Sequence, residues 1–145
     1  MQSRGLTPIN NSGDGNCVFI SLAQIVFGDP AKFEFIRYMI VHRLKSFPKK
    51  YHKSPDYCNT MAINGNPASQ LELQLIADIC FAVVECYSLD NFLVPAYTKM
   101  PLRLSTVSRC KNRIRLWIQP GHCMALVDLF NFSPLISNDY MIVKR

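Results

Sequence analysis

The stretch Ser12-Gly13-Asp14-Gly15-Asn16-Cys17-Val18-Phe19-Ile20-Ser21-Leu22 decides how the rest of the chain is read. Residues 1–16 are rich in Ser, Asn and Gly and read as a loop. From Cys17 the pattern turns helical: Val18, Leu22, Ile25 and Val26 are apolar at helical spacing, and Gly28 ends the run after Phe27. A glycine-flanked loop therefore delivers a cysteine to the first turn of a helix. Glycines let backbone N–H groups turn toward one point, which makes an anion-binding nest. The helix N-terminus adds about half a positive charge. Both effects favour a thiolate at Cys17, and the same N–H groups suit the oxyanion of a tetrahedral intermediate. The alternative is a glycine-rich turn before a helix whose first residue happens to be Cys.

Outward from that stretch, Asp29-Pro30 starts a second helix, with Asp as N-cap and Pro in the first turn. Phe33, Ile36, Ile40 and Leu44 carry it to about Phe47. Residues 48–68 hold Pro48, Pro55, Gly65 and Pro67 and read as a long loop with one short helix near Tyr57–Ile63. Ser69-x-x-Glu72 is a capping box, and Leu73, Ile76, Ala77 and Cys80 form one helical stripe behind it. The period then changes. Phe81–Ser88 reads as a buried strand and Phe92–Val94 as a short one, while the polar, basic 96–112 reads as loop. Ile114–Ile118 and His122–Phe130 make a hairpin around Gln119-Pro120-Gly121, and Tyr140–Val143 suits an edge strand. Helices first and strands afterwards predict an α+β fold with a small antiparallel sheet, built as one domain over 1–145.

The chain has 145 residues, 49% of them hydrophobic and 18% charged, with a formal net charge of +6. This composition excludes disorder as the main state. Six cysteines are too few for a disulfide scaffold. Met1 to Thr7 is polar and lacks an apolar leader, and the longest apolar stretch, Ile76–Tyr87, is broken by Asp78 and Glu85. No membrane span and no secretion signal are expected, so the expected compartment is reducing and cytoplasmic, with free thiols. No spacing among the cysteines fits a zinc motif, and neither metal nor cofactor is expected.

A cysteine nucleophile needs a base within hydrogen-bond reach. Of the three histidines, His42 lies inside the second helix and His52 in a Lys-rich loop, where both read as solvated. His122 starts a strand after the Pro-Gly turn, at the mouth of a sheet, and is the candidate base; the alternative is a strand-end histidine facing solvent. Asp128 lies six residues along the same strand, roughly 20 Å away at strand rise, too far to orient it. Strand parity faces Trp117 away from His122. Cys58, Cys80, Cys86, Cys110 and Cys123 read as small buried residues without a role.

Asp14-Gly15-Asn16-Cys17-Val18-Phe19, followed by Ser21-Leu22 and Phe27-Gly28-Asp29, resembles the nucleophile segment of the ovarian-tumour (OTU) family of cysteine proteases. Arg37 matches an arginine the family often carries in its next helix. Leu71 to Ala77 is similar to the family's middle helix, with the strand Val83–Tyr87 behind it, and Ile114-x-Leu116 with His122 resembles its final hairpin. The resemblance spans about residues 9–130. It implies a papain-like fold and a deubiquitinase or other peptidase, with ubiquitin, a ubiquitin-like protein or a viral polyprotein as partner and host cytoplasm as the place if the protein is viral. It makes Cys17 the nucleophile and His122 the general base. It assigns Asp14 to the catalytic loop and the N–H groups of Asp14, Gly15, Asn16 and Cys17 to the oxyanion hole.

The departures are specific. Two residues beyond its histidine the family usually has Asp or Asn, and here Met124 stands there, which cannot orient an imidazole. One branch of the family supplies this group from upstream of the cysteine, which makes Asn10 or Asn11 the candidate orienter; a bare Cys–His dyad is the other option. Gly65-Asn66-Pro67 replaces the family's Trp-Gly before the middle helix. Two readings outside catalysis stay open. Met124 suits an inactive OTU-type module that binds ubiquitin or another partner. The basic runs Arg43, Lys45, Lys49, Lys50, Lys53 and Lys99, Arg103, Arg109, Lys111, Arg113, Arg115 suit nucleic acid, although no nucleic-acid motif accompanies them. Ubiquitin's tail, Arg-Leu-Arg-Gly-Gly, is basic, so a ubiquitin cleft calls for acids, with Glu72, Asp78, Glu85 and Asp90 as candidates.

Overall fold

The computed structural model describes residues 6–88, 112–119, 121–130 and 132–136. The expectations at Phe92–Val94, over 96–111 and at Tyr140–Val143 lie outside those residues, as do Pro120, Asp90 and Cys110. In chain order the elements are β1 (Thr7–Ile9), α1 (Cys17–Phe27), a 3-10 turn (Pro30–Lys32), α2 (Phe33–Ser46), α3 (Pro48–Tyr51), α4 (Pro55–Met61), α5 (Gln70–Cys80), β2 (Ala82–Ser88), β3 (Asn112–Gln119) and β4 (His122–Val127).

α1 is apolar on nearly every side, and Phe19, Leu22, Ala23, Ile25, Val26 and Phe27 are all buried. A helix without a broad polar face has to sit in the core. It does so with β4 against it on one side and α2 on another. Gly28 ends it in the left-handed region, φ 71°, as the sequence predicts. Farther along, Ile136 donates its N–H to the Val26 carbonyl at 2.8 Å, which satisfies an acceptor the helix end leaves open. The Ser69–Glu72 capping box is present at the start of α5, and α5 packs on α2 and β2.

The α+β class holds, with a four-stranded sheet in the order β1-β4-β3-β2. The sheet is mixed, which corrects the antiparallel expectation. β3 and β4 form the predicted antiparallel hairpin and β1 runs antiparallel to β4, but β2 and β3 are parallel. A parallel pair needs a long connection, and residues 89–111 between β2 and β3 supply one. β1 was hidden in the predicted N-terminal loop because it is three residues long and contains Pro8, which an edge strand tolerates.

Other boundaries moved for local reasons. The predicted loop at 48–68 carries two short helices, each begun by a proline in its first turn. Phe81, expected to begin β2, instead closes α5 with φ 56° and is exposed. β4 stops at Val127, because the Asp128 carboxylate accepts the Phe130 N–H at 3.0 Å and turns the chain. The register pairs Gln119 with His122 and Trp117 with Met124. Trp117 therefore shares a sheet face with His122, contrary to the parity argument, and packs on Leu6, Tyr87 and Leu126.

Candidate active site

The loop before α1 is tied internally by its acid. The Asp14 carboxylate accepts the Asn16 N–H at 2.9 Å, and the Asp14 carbonyl accepts the Cys17 N–H at 3.0 Å. Asn16 occupies the N-cap position but does not cap the helix. Its side chain is buried and turned beneath the loop, where Oδ1 accepts from the Gly65 N–H at 2.9 Å and from Arg37 Nη2 at 2.7 Å. Arg37, 3% exposed, also reaches the carbonyls of Met61 and Asn66, both at 2.8 Å, and lies over the Phe19 ring. Burial pulls its guanidinium below the usual range, and the charges of Glu72 and Glu34 act against that. The loop before Cys17 is thus fastened to the segment between α4 and α5. Gly15 marks how close the two come, since a Cβ there would land on the Gly65 carbonyl.

A second set of bonds fastens α1 to β4. Ser21, one turn beyond Cys17, donates to the Cys17 carbonyl at 2.8 Å and lies 3.1 Å from the Cys123 carbonyl. Asn11 donates to that same carbonyl at 2.8 Å, while its Oδ1 accepts the Gly13 N–H at 3.0 Å. Cys17 and His122 are therefore spaced through Cys123, the neighbour of His122. Of the two asparagines proposed as orienters, Asn11 serves this clamp. Asn10 meets the histidine, with Oδ1 3.2 Å from His122 Nε2.

The register explains why Asn10 is there. Ile9 pairs with Ala125; one step further along the antiparallel pair, Asn10 comes opposite Met124, on the face that also carries His122. The neighbouring strand thus provides the polar group that Met124 lacks. An amide oxygen only accepts, so the bond puts the ring proton on Nε2. Nδ1 is left buried and without a partner among the described residues. Gly13, at φ 75°, lies against that ring edge, and a Cβ there would sit 3.3 Å from Nδ1.

Cys17, His122, Asp14 and Gly15 line one cavity of about 730 Å³, whose far walls are the apolar Val18, Leu73 and Ile118. Burial pushes the Cys17 thiol up; the N–H groups of Cys123, Val18 and Cys17 itself pull it down without outweighing burial, and the Asp14 charge adds to the rise. The N–H groups at the start of α1 do favour the thiolate, as expected, but desolvation outweighs them and the Cys123 N–H. Of the N–H groups expected in an oxyanion hole, those of Asn16 and Cys17 are engaged with Asp14. Those of Asp14 and Gly15 have no partner among the described residues.

The remaining candidates lie elsewhere. His42 and His52 are exposed on the helical side. Glu72 is buried in its capping box with Tyr57, Asp78 pairs with Tyr51 and Lys50, and Glu85 pairs with Arg113 and Arg115. None of these acids lines the cavity, so the expected acidic patch is not formed by them. Burial raises the Cys80 and Cys123 thiols to about 12 and Cys86 to about 11, and Cys58 is also buried. No described helix is long and apolar enough to cross a membrane. Ser21 and the bonds of Arg37 to Asn16, Met61 and Asn66 were not foreseen; the visible signal for Ser21 is a lone hydroxyl, i+4 from the cysteine, on an otherwise apolar helix.

No protein-family model matches the sequence, and no curated protein matches it. Solved structures do. The OTU domain of OTUD1 superposes with a TM-score of 0.77 over 88% of this chain and 89% of that one, at 19% identity. An OTU domain in complex with ubiquitin gives 0.67 over 95% and 80%, at 16% identity. The viral OTU domain protease from Taggert virus gives 0.65 over 83% and 78%, at 17% identity. The chain has the OTU fold, in a sequence that has diverged far from these neighbours.

Proposed function

We propose that the protein is a cysteine isopeptidase of deubiquitinase type, with Cys17 as nucleophile, His122 as general base and Asn10 as the group that orients it. The observation carrying this reading is the pairing of an Asn10-bonded His122, its Nδ1 free, with Cys17 in one cavity. The OTU fold, found with ubiquitin bound in one of the similar structures, supports ubiquitin or a ubiquitin-like protein as the partner. A polyprotein segment is a further substrate of the same chemistry. A reducing compartment such as the cytoplasm suits a site that depends on a free thiol.

Burial pushes the Cys17 thiol up, and a neutral Asn10 stabilises an imidazolium less than a carboxylate would. The mechanism is therefore stepwise activation rather than a standing thiolate–imidazolium pair. As the substrate carbonyl enters the cavity, His122 Nδ1 takes the Cys17 proton while Sγ attacks. The oxyanion is met by the N–H groups of Asp14 and Gly15. His122 then gives its proton to the leaving lysine amine, and water, deprotonated by the same Nδ1, releases the acyl group from Cys17. Nδ1 and Cys17 are not hydrogen-bonded in the free protein, so the contact is completed on substrate binding, as is common for catalytic pairs.

Incubation with a ubiquitin probe bearing a C-terminal electrophile tests this. An adduct is expected on Cys17, lost in Cys17→Ala and His122→Ala. A folded protein that forms no adduct with any ubiquitin-like probe would overturn the enzyme reading. The high Cys17 thiol and the missing Cys17–His122 bond favour one second reading, a module that holds ubiquitin without cleaving it. Tight ubiquitin binding with no adduct would establish that one instead.

A further inference from the structure

The β1–β4 ladder ends where Ile9 pairs with Ala125. Two residues earlier on β4, the main chain of Cys123 has no β1 residue opposite it. A carbonyl left open at that place needs another partner. Asn11 supplies one: its Nδ2 donates to the Cys123 carbonyl at 2.8 Å and lies 3.3 Å from Ser21 Oγ, while its Oδ1 accepts the Gly13 N–H at 3.0 Å. Nitrogen and oxygen of the amide are both engaged. One half-buried side chain therefore joins the loop before Cys17, helix α1 and strand β4.

Each of the three joined points touches the Cys17–His122 pair. Gly13 lies against the imidazole edge, where a Cβ would sit 3.3 Å from Nδ1. Ser21 donates to the Cys17 carbonyl at 2.8 Å. Cys123 follows His122 in the chain, and its N–H donates to the Cys17 sulfur. Nδ1 has no partner among the described residues. The gap between Nδ1 and sulfur is thus held by these surrounding contacts and not by a direct bond.

We propose that Asn11 is a positioning residue of the site, which sets the approach of His122 Nδ1 to the Cys17 sulfur through Gly13 at the ring edge and through Cys123 on the strand. Asn10 and Asn11 divide the histidine between them. Asn10 fixes which ring nitrogen carries the proton, and Asn11 fixes how far the other one stands from sulfur. The inference rests on the reading of Cys17 and His122 as a catalytic pair.

The test compares the whole chain with Asn11→Ala in two assays. The first follows adduct formation with ubiquitin bearing a C-terminal electrophile, over a range of probe concentrations. The limiting rate should fall about tenfold or more, the scale of a small misplacement of reacting groups, with the half-saturating concentration unchanged. The second follows Cys17 alkylation by iodoacetamide against pH. With the Cys123 N–H no longer held toward the sulfur, the curve should be displaced to higher pH. Both hold for a variant that keeps the parent's circular dichroism spectrum. If Asn11→Ala does not fold, Asn11→Asp carries the test: it has the same size and still accepts from Gly13, but cannot donate to Cys123. A folded variant with the parent's limiting rate and the parent's alkylation curve overturns the proposal, and so does a change confined to the half-saturating concentration. A parent that forms no adduct defeats the isopeptidase reading by itself. The alkylation curves, which need no substrate, then decide alone: a displaced curve supports the role of Asn11 at Cys17, and a coincident one overturns it.

Discussion

The two halves of the candidate catalytic pair are held in opposite ways. Cys17 opens α1 behind a loop fixed by a buried network in which Asn16 Oδ1 takes two donors and Arg37 spans three acceptors. His122 is half-buried and oriented by one 3.2 Å contact to an exposed Asn10. The position of Cys17 is therefore a property of the folded core, while the orientation of His122 is set near the surface. Damage to the first should show as lost stability. Damage to the second should show as lost rate in a stable protein.

The sharpest way to break the contrast is Arg37→Ala. It strips partners from Asn16 Oδ1 and from the carbonyls of Met61 and Asn66. Leaving buried acceptors unpaired costs about 1–3 kcal/mol apiece where water cannot reach them, so a total loss of about 3 kcal/mol is expected in urea unfolding. A loss below about 1 kcal/mol would mean that the network does not hold the loop.

Asn10→Ala should act on rate instead. Removing the group that orients a metal-ligating histidine costs about 10–100-fold, and the same ring-orienting role is at stake here. That loss is expected in kcat/KM for probe or substrate, with a Tm close to the parent's. Asn10→Asp separates orientation from charge. A carboxylate in the same place favours the imidazolium and hence a thiolate beside it. The pH dependence of Cys17 alkylation reads this directly. Burial raises the parent thiol above its ordinary value of 9.0. Only the thiolate reacts, so the parent rate should keep climbing through pH 9 without levelling. In Asn10→Asp the midpoint should move to lower pH. Identical profiles for the two proteins would remove Asn10 from any role at the histidine.

The same contrast explains what was legible in the sequence. α1, its Gly28 stop and the α5 capping box follow from spacing and cap chemistry within a few residues, and the structure keeps them within a residue of expectation. Cys17 was legible for the same reason. The parallel β2–β3 pair and the β1 edge were not, because pairing direction and a three-residue strand are decided by partners distant in sequence. Asn10 was one of two equal candidates until the β1–β4 register put it opposite Met124 and left Asn11 to bind Cys123. The balance at the Cys17 thiol was not legible, because the N–H groups of a helix start are visible in a sequence, whereas burial, which outweighs them here, is not.

The smallest expected effect comes from a third polar cluster, which reaches the cavity only through Ser69 and lies outside the Cys17–His122 pair. Glu72 is fully buried and accepts from the Ser69 N–H, the Ser69 hydroxyl and the Tyr57 hydroxyl, each at 2.6 Å. Ser69 Oγ in turn accepts the Leu71 N–H at 3.2 Å. Ser69→Ala removes the hydroxyl but keeps the backbone N–H that Glu72 uses. The carboxylate therefore stays paired with Tyr57 and the main chain, and only the cap itself is lost. A loss of about 1 kcal/mol is expected, with Cys17 alkylation unchanged. Ser69 lines the cavity without fastening Cys17 or His122. A substantial drop in Cys17 reactivity in this variant would mean that the α5 terminus also positions the nucleophile, and the division into a fixed cysteine and a surface-oriented histidine would need a third member.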